Sequence, residues 1–511
     1  ASANSIPKAS KVIMGNFNPA SGINIDSAAI IDFIADKPLF KEFEDDFIAV
    51  YQNTDFNYLW YDKKGLIVTA NALIANLGRT DEEGVITSVP YKTQLDSLLE
   101  TTNPEKYKKP DINMELMLTG EYFYYAKNIW KGSLISKADS VGWYVPKKKL
   151  SYSNLLEDNL SKGVLSETDV KIIRIQYDGL KKGLAHYRDI EKRGNEIVLP
   201  ALKKRTIIHV GDSSELISQL KERLNQLGNL KENKTEGKAD ANVIVALMDF
   251  KNTHGLNADS IVDSETIQEL NVSAKKRVEQ IMVNMERCRW LPAQNNTDEF
   301  IVVNIPEYKL VYYQNDSVVL RSNVVVGKPM TKTVIFSGNI SYIVFSPYWY
   351  VPQSIIRNEV VPGMNRNSNY LAKHNMEWNG GNVRQKPGAS NSLGLVKFIF
   401  PNSNNIYLHD TPAKSLFGES SRAFSHGCIR VAKPEELANR ILVQAPEWTP
   451  EKIHAAMHAG KERKVVLKKK IPVYICYFTS FIGANGELNF RPDIYKRDEQ
   501  LLNMMMETSE L

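Results

Sequence analysis

The sequence predicts a multidomain α+β protein: a helical scaffold, a small three-helix module, and a mainly-β domain that carries an insert. Three observations predict it. At 511 residues the chain exceeds one ordinary core. Apolar residues recur at helical spacing over the first two hundred positions, and β-branched and aromatic runs replace them after about residue 297. Apolar content of 43% with 24% charged residues excludes a disordered or fibrous chain.

Residues 1–204 read as the scaffold. In DINMELMLTGEYFYYAKNIW, Ile112, Leu116, Phe123, Ala126 and Trp130 mark one buried helical face. AAIIDFIADKPLFKEFEDDFIAVYQ repeats the pattern, broken at Pro38. No catalytic constellation stands out here. The chain opens ASANSIPKAS, without Met and without a charged-then-apolar leader, which reads as a start from which a signal or membrane anchor has been removed. No run of eighteen apolar residues occurs, so no membrane-spanning helix is expected.

Residues 205–271 read as three short helices. Asp212, with Glu215 three positions on, is the expected first cap. Leu216, Leu220, Leu224 and Leu227 form a stripe, and Gly228 ends the helix in a left-handed conformation. A second helix ends near Gly255; a third starts at Asp263 with Ile267 and Leu270 inward. A further helix over 272–296, stopping at Pro292, returns to the scaffold.

Residues 297–445 read as strands, interrupted at 353–385 by an Asn- and Gly-rich stretch in which Met376 and Trp378 favour an ordered lid. A C-terminal helix and hairpin, 446–511, pack on this domain, the hairpin turning around Gly483 to Gly486.

YLHDTPAKSLFGESSRAFSHGCIRV, Tyr407 to Val431, carries the chemistry. A thiol is a useful nucleophile only as thiolate, so a catalytic cysteine needs a partner that takes its proton. His409 and Cys428 are too far apart for contact within one element, but neighbouring strands bring such pairs together. Gly427 leaves the sulfur accessible and lets backbone N–H groups face an oxyanion; Arg430 adds fixed charge. Alternatives are a small buried cysteine and a zinc set of His409, His426 and Cys428, for which no paired-ligand spacing exists. A papain-like hydrolase has Cys before His, the reverse of this order. Three cysteines argue against a disulfide framework, and Cys288 and Cys476 read as packing. A net charge of +5 suits an acidic polymer but lacks the basic stripe of a nucleic-acid binder.

HDTP followed by SHGCIRV resembles the signature of the L,D-transpeptidases, and CRWLP, NIPEYKL, VVVGKP, SPYWYVP, RQKPGASNSLGLVKFIFPN and FRPDIY extend the resemblance to the large multidomain members. Ser346 and Tyr350 depart from it, each standing where Asn is common. Leu220 to Gly228, Ala246 to Leu256 and Asp263 to Asn271 resemble the type 1 peptidoglycan-binding domain, although Asp259 is followed by Ser260 instead of Gly. The resemblance implies Cys428 as nucleophile, His409 as base, and Gly427 and Cys428 N–H groups as oxyanion donors. It implies Tyr407, Ser425, His426, Arg430 and Trp349 as substrate-binding residues, with no cofactor and no metal. The implied partners are peptidoglycan stem peptides and glycan, with carbapenems as inhibitors, no nucleic acid, and a cell-envelope (periplasmic) location. The implied reaction forms 3→3 crosslinks through a thioester. The alternatives are an L,D-carboxypeptidase, a transferase onto protein or D-amino acids, and a non-catalytic wall-binding scaffold. A sortase-like enzyme would need a Thr-Leu-x-Thr-Cys stretch, which is absent.

Overall fold

The computed structural model describes residues 24–100, 109–167, 171–231, 237–292 and 299–507. The opening decapeptide, and the expected processed start with it, lie outside the described residues, as do positions 297–298. The chain forms two compact units. One comprises Ala1–Ile135, Lys148–Asp169 and Met505–Leu511; the other comprises Ser136–Lys147 and Val170–Met504. No described helix is long and apolar enough to cross a membrane.

The first unit is helical. Helix α1 (Ser27–Asp36) is capped by the Asp26 carboxylate, which accepts from Ala28 N. Pro38 opens a 3-10 turn before α2 (Glu44–Asn53), as its fixed φ and missing N–H require. Helix α3 (Ile112–Tyr125), capped by Asp111, runs on through a π-helical stretch to Gly132. It does not bury one face as its spacing suggests: every residue from Met114 to Phe123 is buried. A helix at the centre of a bundle has no solvent side. Polar groups are trapped with it. Glu115 accepts from Leu59 N, Trp60 N and the Tyr51 hydroxyl at 2.6, 3.1 and 3.0 Å, and burial still pushes it up to about 7. Neither carboxylate oxygen of Glu121 has a hydrogen-bond partner among the described residues, and burial pushes it up to about 9.

The second unit takes in α4 (Lys171–Arg193), which the sequence assigns to the scaffold. Gly179 and Gly183 let it press on Ile482 and Leu488; a Cβ at either glycine would lie 2.3 or 2.5 Å from them. The small module follows as α5 (Glu215–Gln226), α6 (Ala241–Thr253) and α7 (Ser264–Leu270) around Leu220, Leu224, Leu247, Phe250 and Leu270. Its first cap is Ser214, not Asp212: Ser214 Oγ accepts from Ile217 N, while the Asp212 carboxylate turns back to His209 N. Gly228 and Gly255 are left-handed, and Asp263 caps α7. Helix α8 (Ala274–Trp290) then runs beside α4.

The β domain is one sheet. Its strands from this domain are β1 (Glu299–Asn304), β2 (Lys309–Gln314), β3 (Ser317–Gly327), β4 (Ile335–Phe345), β5 (Val396–Ile399), β6 (Leu408–His409), β7 (Ala423–Ser425), β8 (Ile429–Val431) and β9 (Arg463–Cys476), and Trp143–Tyr144 adds a short parallel strand on β4. The order is β5-β6-β8-β3-β2-β1-β9-β4, and β4 also pairs with β5, so the sheet closes on itself and leaves no open edge in that circuit. Strand β9 therefore is not an appendage of the domain. It lies between β1 and β4, and the terminal hairpin is only Ser480–Ile482 with Leu488–Phe490. Cys288 and Cys476 are both buried; burial, then the neighbouring Cys288, push Cys476 up to about 12.

Residues 349–385 form a small body of their own. Trp349–Tyr350, Asn382–Gln385 and Met376–Asn379 make a three-stranded sheet over helical turns. Val351, Ile356, Val360 and Val383 are its core, with Trp349, Tyr370 and Met376 packed on it. Met376 thus does what the sequence suggests, whereas Trp378 is 54% exposed.

Candidate active site

Strands β6 and β8 run parallel, with Leu408 opposite Ile429 and His409 opposite Arg430. Side chains alternate across a strand, so Leu408 and Ile429 enter the core, where both are fully buried. Tyr407, His409, Cys428 and Arg430 share the other face. Ile429 N donates to Tyr407 O at 3.2 Å, which fixes the register. On the far side of β6, Lys397 stands opposite His409. Lys397, His409 and Arg430 thus form a row across three adjacent strands, steps of about 4.8 Å each.

His409 is buried, with Nδ1 2.5 Å from Asp410 O. A carbonyl only accepts, so Nδ1 carries the proton and Nε2 is the bare nitrogen. Burial, then the Arg430 charge, push the imidazole down to about 4; Lys397 adds to this. Asp410 itself is fixed: its Oδ2 accepts from Leu395 N at 2.9 Å, and Lys414 pairs with its other oxygen.

Cys428 is half-buried. Its Sγ faces Asn405 O at 3.6 Å, not the imidazole. Burial raises the thiol above its ordinary range, against the opposing pull of Tyr407 and Arg430. Thiol and imidazole are therefore both neutral at rest. Burial thus favours the neutral form of each group.

The loop before the sulfur is held by Ser425. Its Oγ donates to Cys428 O at 2.6 Å and accepts from Gly427 N at 3.1 Å. Gly427 sits at φ +119°, which a side chain would strain. Its N–H, expected as an oxyanion donor, is thus spent inside the loop. Outside it, Thr331 Oγ1 donates to Ser425 O at 3.0 Å and Thr333 Oγ1 to Gly427 O at 2.9 Å. Tyr495 O–H donates to Gly327 O at 2.6 Å and accepts from Thr333 N at 3.2 Å. Thr331, Thr333, Tyr495, Asp410 and Lys397 were not singled out from sequence. The run GKPMTKT before a strand was the available signal for the threonines.

The remaining residues disperse. His426 is exposed, its Nε2 3.9 Å from Glu359 Oε1 on the small body. Trp349 is half-buried in that body's sheet, opposite Gln385. Arg430 is half-buried, and its Nε makes no hydrogen bond among the described residues. Ser346 has φ +45°, a conformation Asn tolerates better, and its Oγ reaches Ala456 O and Met457 O at 3.0 and 2.9 Å. Among the described residues no three His, Cys, Asp or Glu side chains gather as metal donors.

Residues 298–466 match the family described as "L,D-transpeptidase catalytic domain", residues 45–184 the "Scaffold domain", and residues 213–270 the "Putative peptidoglycan binding domain". A curated relative from Haemophilus influenzae, named "Putative L,D-transpeptidase", is 34% identical over 257 residues, covering 46% of this chain and 50% of the relative. The chain thus spans half the length of that relative. Among solved structures, an L,D-transpeptidase from Mycobacterium smegmatis is 12% identical, covering 35% of this chain and 58% of that one, with TM-score 0.21. One from Xylanimonas cellulosilytica is 12% identical, covering 54% and 99%, with TM-score 0.20. The chain carries an L,D-transpeptidase catalytic domain, a scaffold domain and a domain matching the "Putative peptidoglycan binding domain", and over 257 residues it is homologous to the Haemophilus protein named "Putative L,D-transpeptidase".

Proposed function

We propose that this protein is a peptidoglycan L,D-transpeptidase that forms 3→3 crosslinks through a thioester on Cys428. The observation that carries the reading is the shared face of β6 and β8, which puts a half-buried thiol and a bare imidazole nitrogen on adjacent strands. Cys428 Sγ leaves Asn405 O and gives the thiol proton to His409 Nε2. Sulfur bonds to the carbonyl carbon between the third and fourth stem residues. The C–N bond breaks, and the proton passes from Nε2 to the departing D-Ala amine. An amine from a second stem then attacks the thioester, loses its proton to Nε2, and the thiolate leaves and is reprotonated.

Each supporting group has a task. The Nδ1–H bond to Asp410 O holds the tautomer; Ser425 and Gly427 aim the sulfur. The Cys428 N–H and the Arg430 charge face the developing oxyanion. Tyr407 and Trp349 wall the cleft, and the body at 349–385, reaching His426 through Glu359, serves as the lid that keeps water from the thioester. The substrate implies a site in the cell wall, outside the cytoplasmic membrane. The test is muropeptide analysis of sacculi incubated with protein: 3→3 dimers are expected, and none with Cys428→Ala. Identical products from both proteins contradict the proposal, and tripeptides without dimers make it a carboxypeptidase.

A further inference from the structure

Behind the catalytic row, a groove of about 710 Å³ opens between the helix Pro450–Met457 and the start of β9. Its recognition groups are cationic. Arg463 lies over the Trp448 ring, 4.5 Å from its centroid, and that ring is itself held 5.2 Å from Phe345. The stack orients a planar guanidinium fork before any ligand arrives. Lys461 and Lys452 flank it, and among the described residues neither Lys461 nor Arg463 has an ion-pair partner. Of the two carboxylates present, Glu462 is occupied by Tyr348 N at 2.8 Å; Glu447 is exposed at the rim. Ala455, Ala456 and Ala459 add methyl groups to the lining.

The charge does not stop at the groove. Strand β9 goes on with exposed Lys464, Lys468, Lys469 and Lys470; among the described residues Lys469 alone has an ion-pair partner, Glu299 at 3.3 Å. Lys464 pairs across Val344 to Lys397, and Lys397 to His409. The basic end of β9 is therefore three strand steps, about 14 Å, from the imidazole. Arg463, opposite Phe345, lies on the other face of the sheet from that row, so Lys464 and the lysines after it carry the charge from the groove toward the imidazole's face.

We infer that this groove is a second peptidoglycan site, taking the carboxylates and small methyl side chains of a neighbouring stem peptide on the same strand. The inference rests on the proposed function. It assigns Arg463 and Lys461 to carboxylate recognition and the alanines of the lining to the stem's alanine side chains, so that the groove retains polymer while Cys428 works on one stem.

The test uses the full chain. Soluble, uncrosslinked peptidoglycan strands are titrated into Cys428→Ala protein with and without Lys461→Gln and Arg463→Gln. Expected is at least a tenfold weaker, less salt-sensitive binding in the triple variant, with an unchanged unfolding midpoint. In the protein with Cys428 intact, carbapenem acylation proceeds equally with and without the two groove substitutions. Unchanged strand affinity overturns the inference. So does a result in which only phosphatidylglycerol vesicles, not strands, distinguish the two proteins, since the groove then reads lipid. Failure of acylation in both proteins instead sinks the proposed function and leaves the binding result standing.

Discussion

At the scale of residues, the site is governed by which groups stay neutral. His409 has two cations beside it in the sheet row, and burial acts in the same direction. A base must be unprotonated, so activity falls as pH drops through the imidazole's range; holding it near 4 keeps the base available in acid. Lys397→Met removes one of the cations. The imidazole rises, and the acid limb of a pH–rate profile moves to higher pH. The rate at neutral pH falls by less than about tenfold, because His409 is already neutral there. An acid limb that stays put, or moves down, contradicts the row as the cause. His409, Gly427 and Cys428 were visible as candidates in residue type and motif. Lys397 was not: only strand register brings it to His409. Tyr495 reaches Thr333 from 162 positions away, and nothing local announces that contact.

At the scale of elements, caps and breakers were readable and burial was not. Gly228, Asp263 and Pro38 act as their backbone chemistry dictates. Asp212 and Ser214 are both good caps, and the choice fell to Ser214 once the Asp212 carboxylate had bonded to His209 N. Helix α3 shows helical spacing, but its position at the centre of its unit buries the rest of the helix as well. That position has a consequence for Glu121. Its folded-state pKa, about 9, lies above the usual carboxylate value, so the folded protein holds a proton that the unfolded chain releases between roughly pH 4.5 and 9. Its contribution is fully present below that window and is lost as pH rises through it. Glu121→Gln keeps the shape without the ionisation. Chemical denaturation across pH 5 to 9 is expected to show a flatter stability profile for the variant, by an amount on the order of 5 kcal/mol at the alkaline end. Parallel profiles contradict the neutral buried carboxyl.

At the scale of the molecule, the three-helix module is joined to the catalytic unit and is not a tethered bead. The His254 ring stacks 3.9 Å from Phe250 and lies 5.3 Å from Phe490 on the terminal hairpin. Arg491 donates to Thr253 O at 2.8 Å, and Arg277 lies over Phe490 at 4.3 Å. Phe490→Ala removes a buried ring from this junction and is expected to cost about 3–5 kcal/mol. Limited proteolysis should then release the module ahead of the β domain; cutting in the parent's order contradicts a fixed junction. The sequence named the module and the cap of its third helix, Asp263, but not that of its first, and it placed β9 and the hairpin together as a tail. Strand β9 reads like a hairpin arm because its alternation is that of any half-buried strand. Its place between β1 and β4 comes from closure of the sheet, which no local pattern encodes.

The central claim is that one thiol, made nucleophilic by the imidazole on the adjacent strand, carries the reaction. Intact-mass spectrometry after exposure to a carbapenem tests it most directly. The account predicts a single covalent adduct that maps to Cys428, slows by about a hundredfold or more in His409→Gln, and never reaches Cys288 or Cys476. An adduct on either buried cysteine, or equal acylation with and without His409, contradicts it.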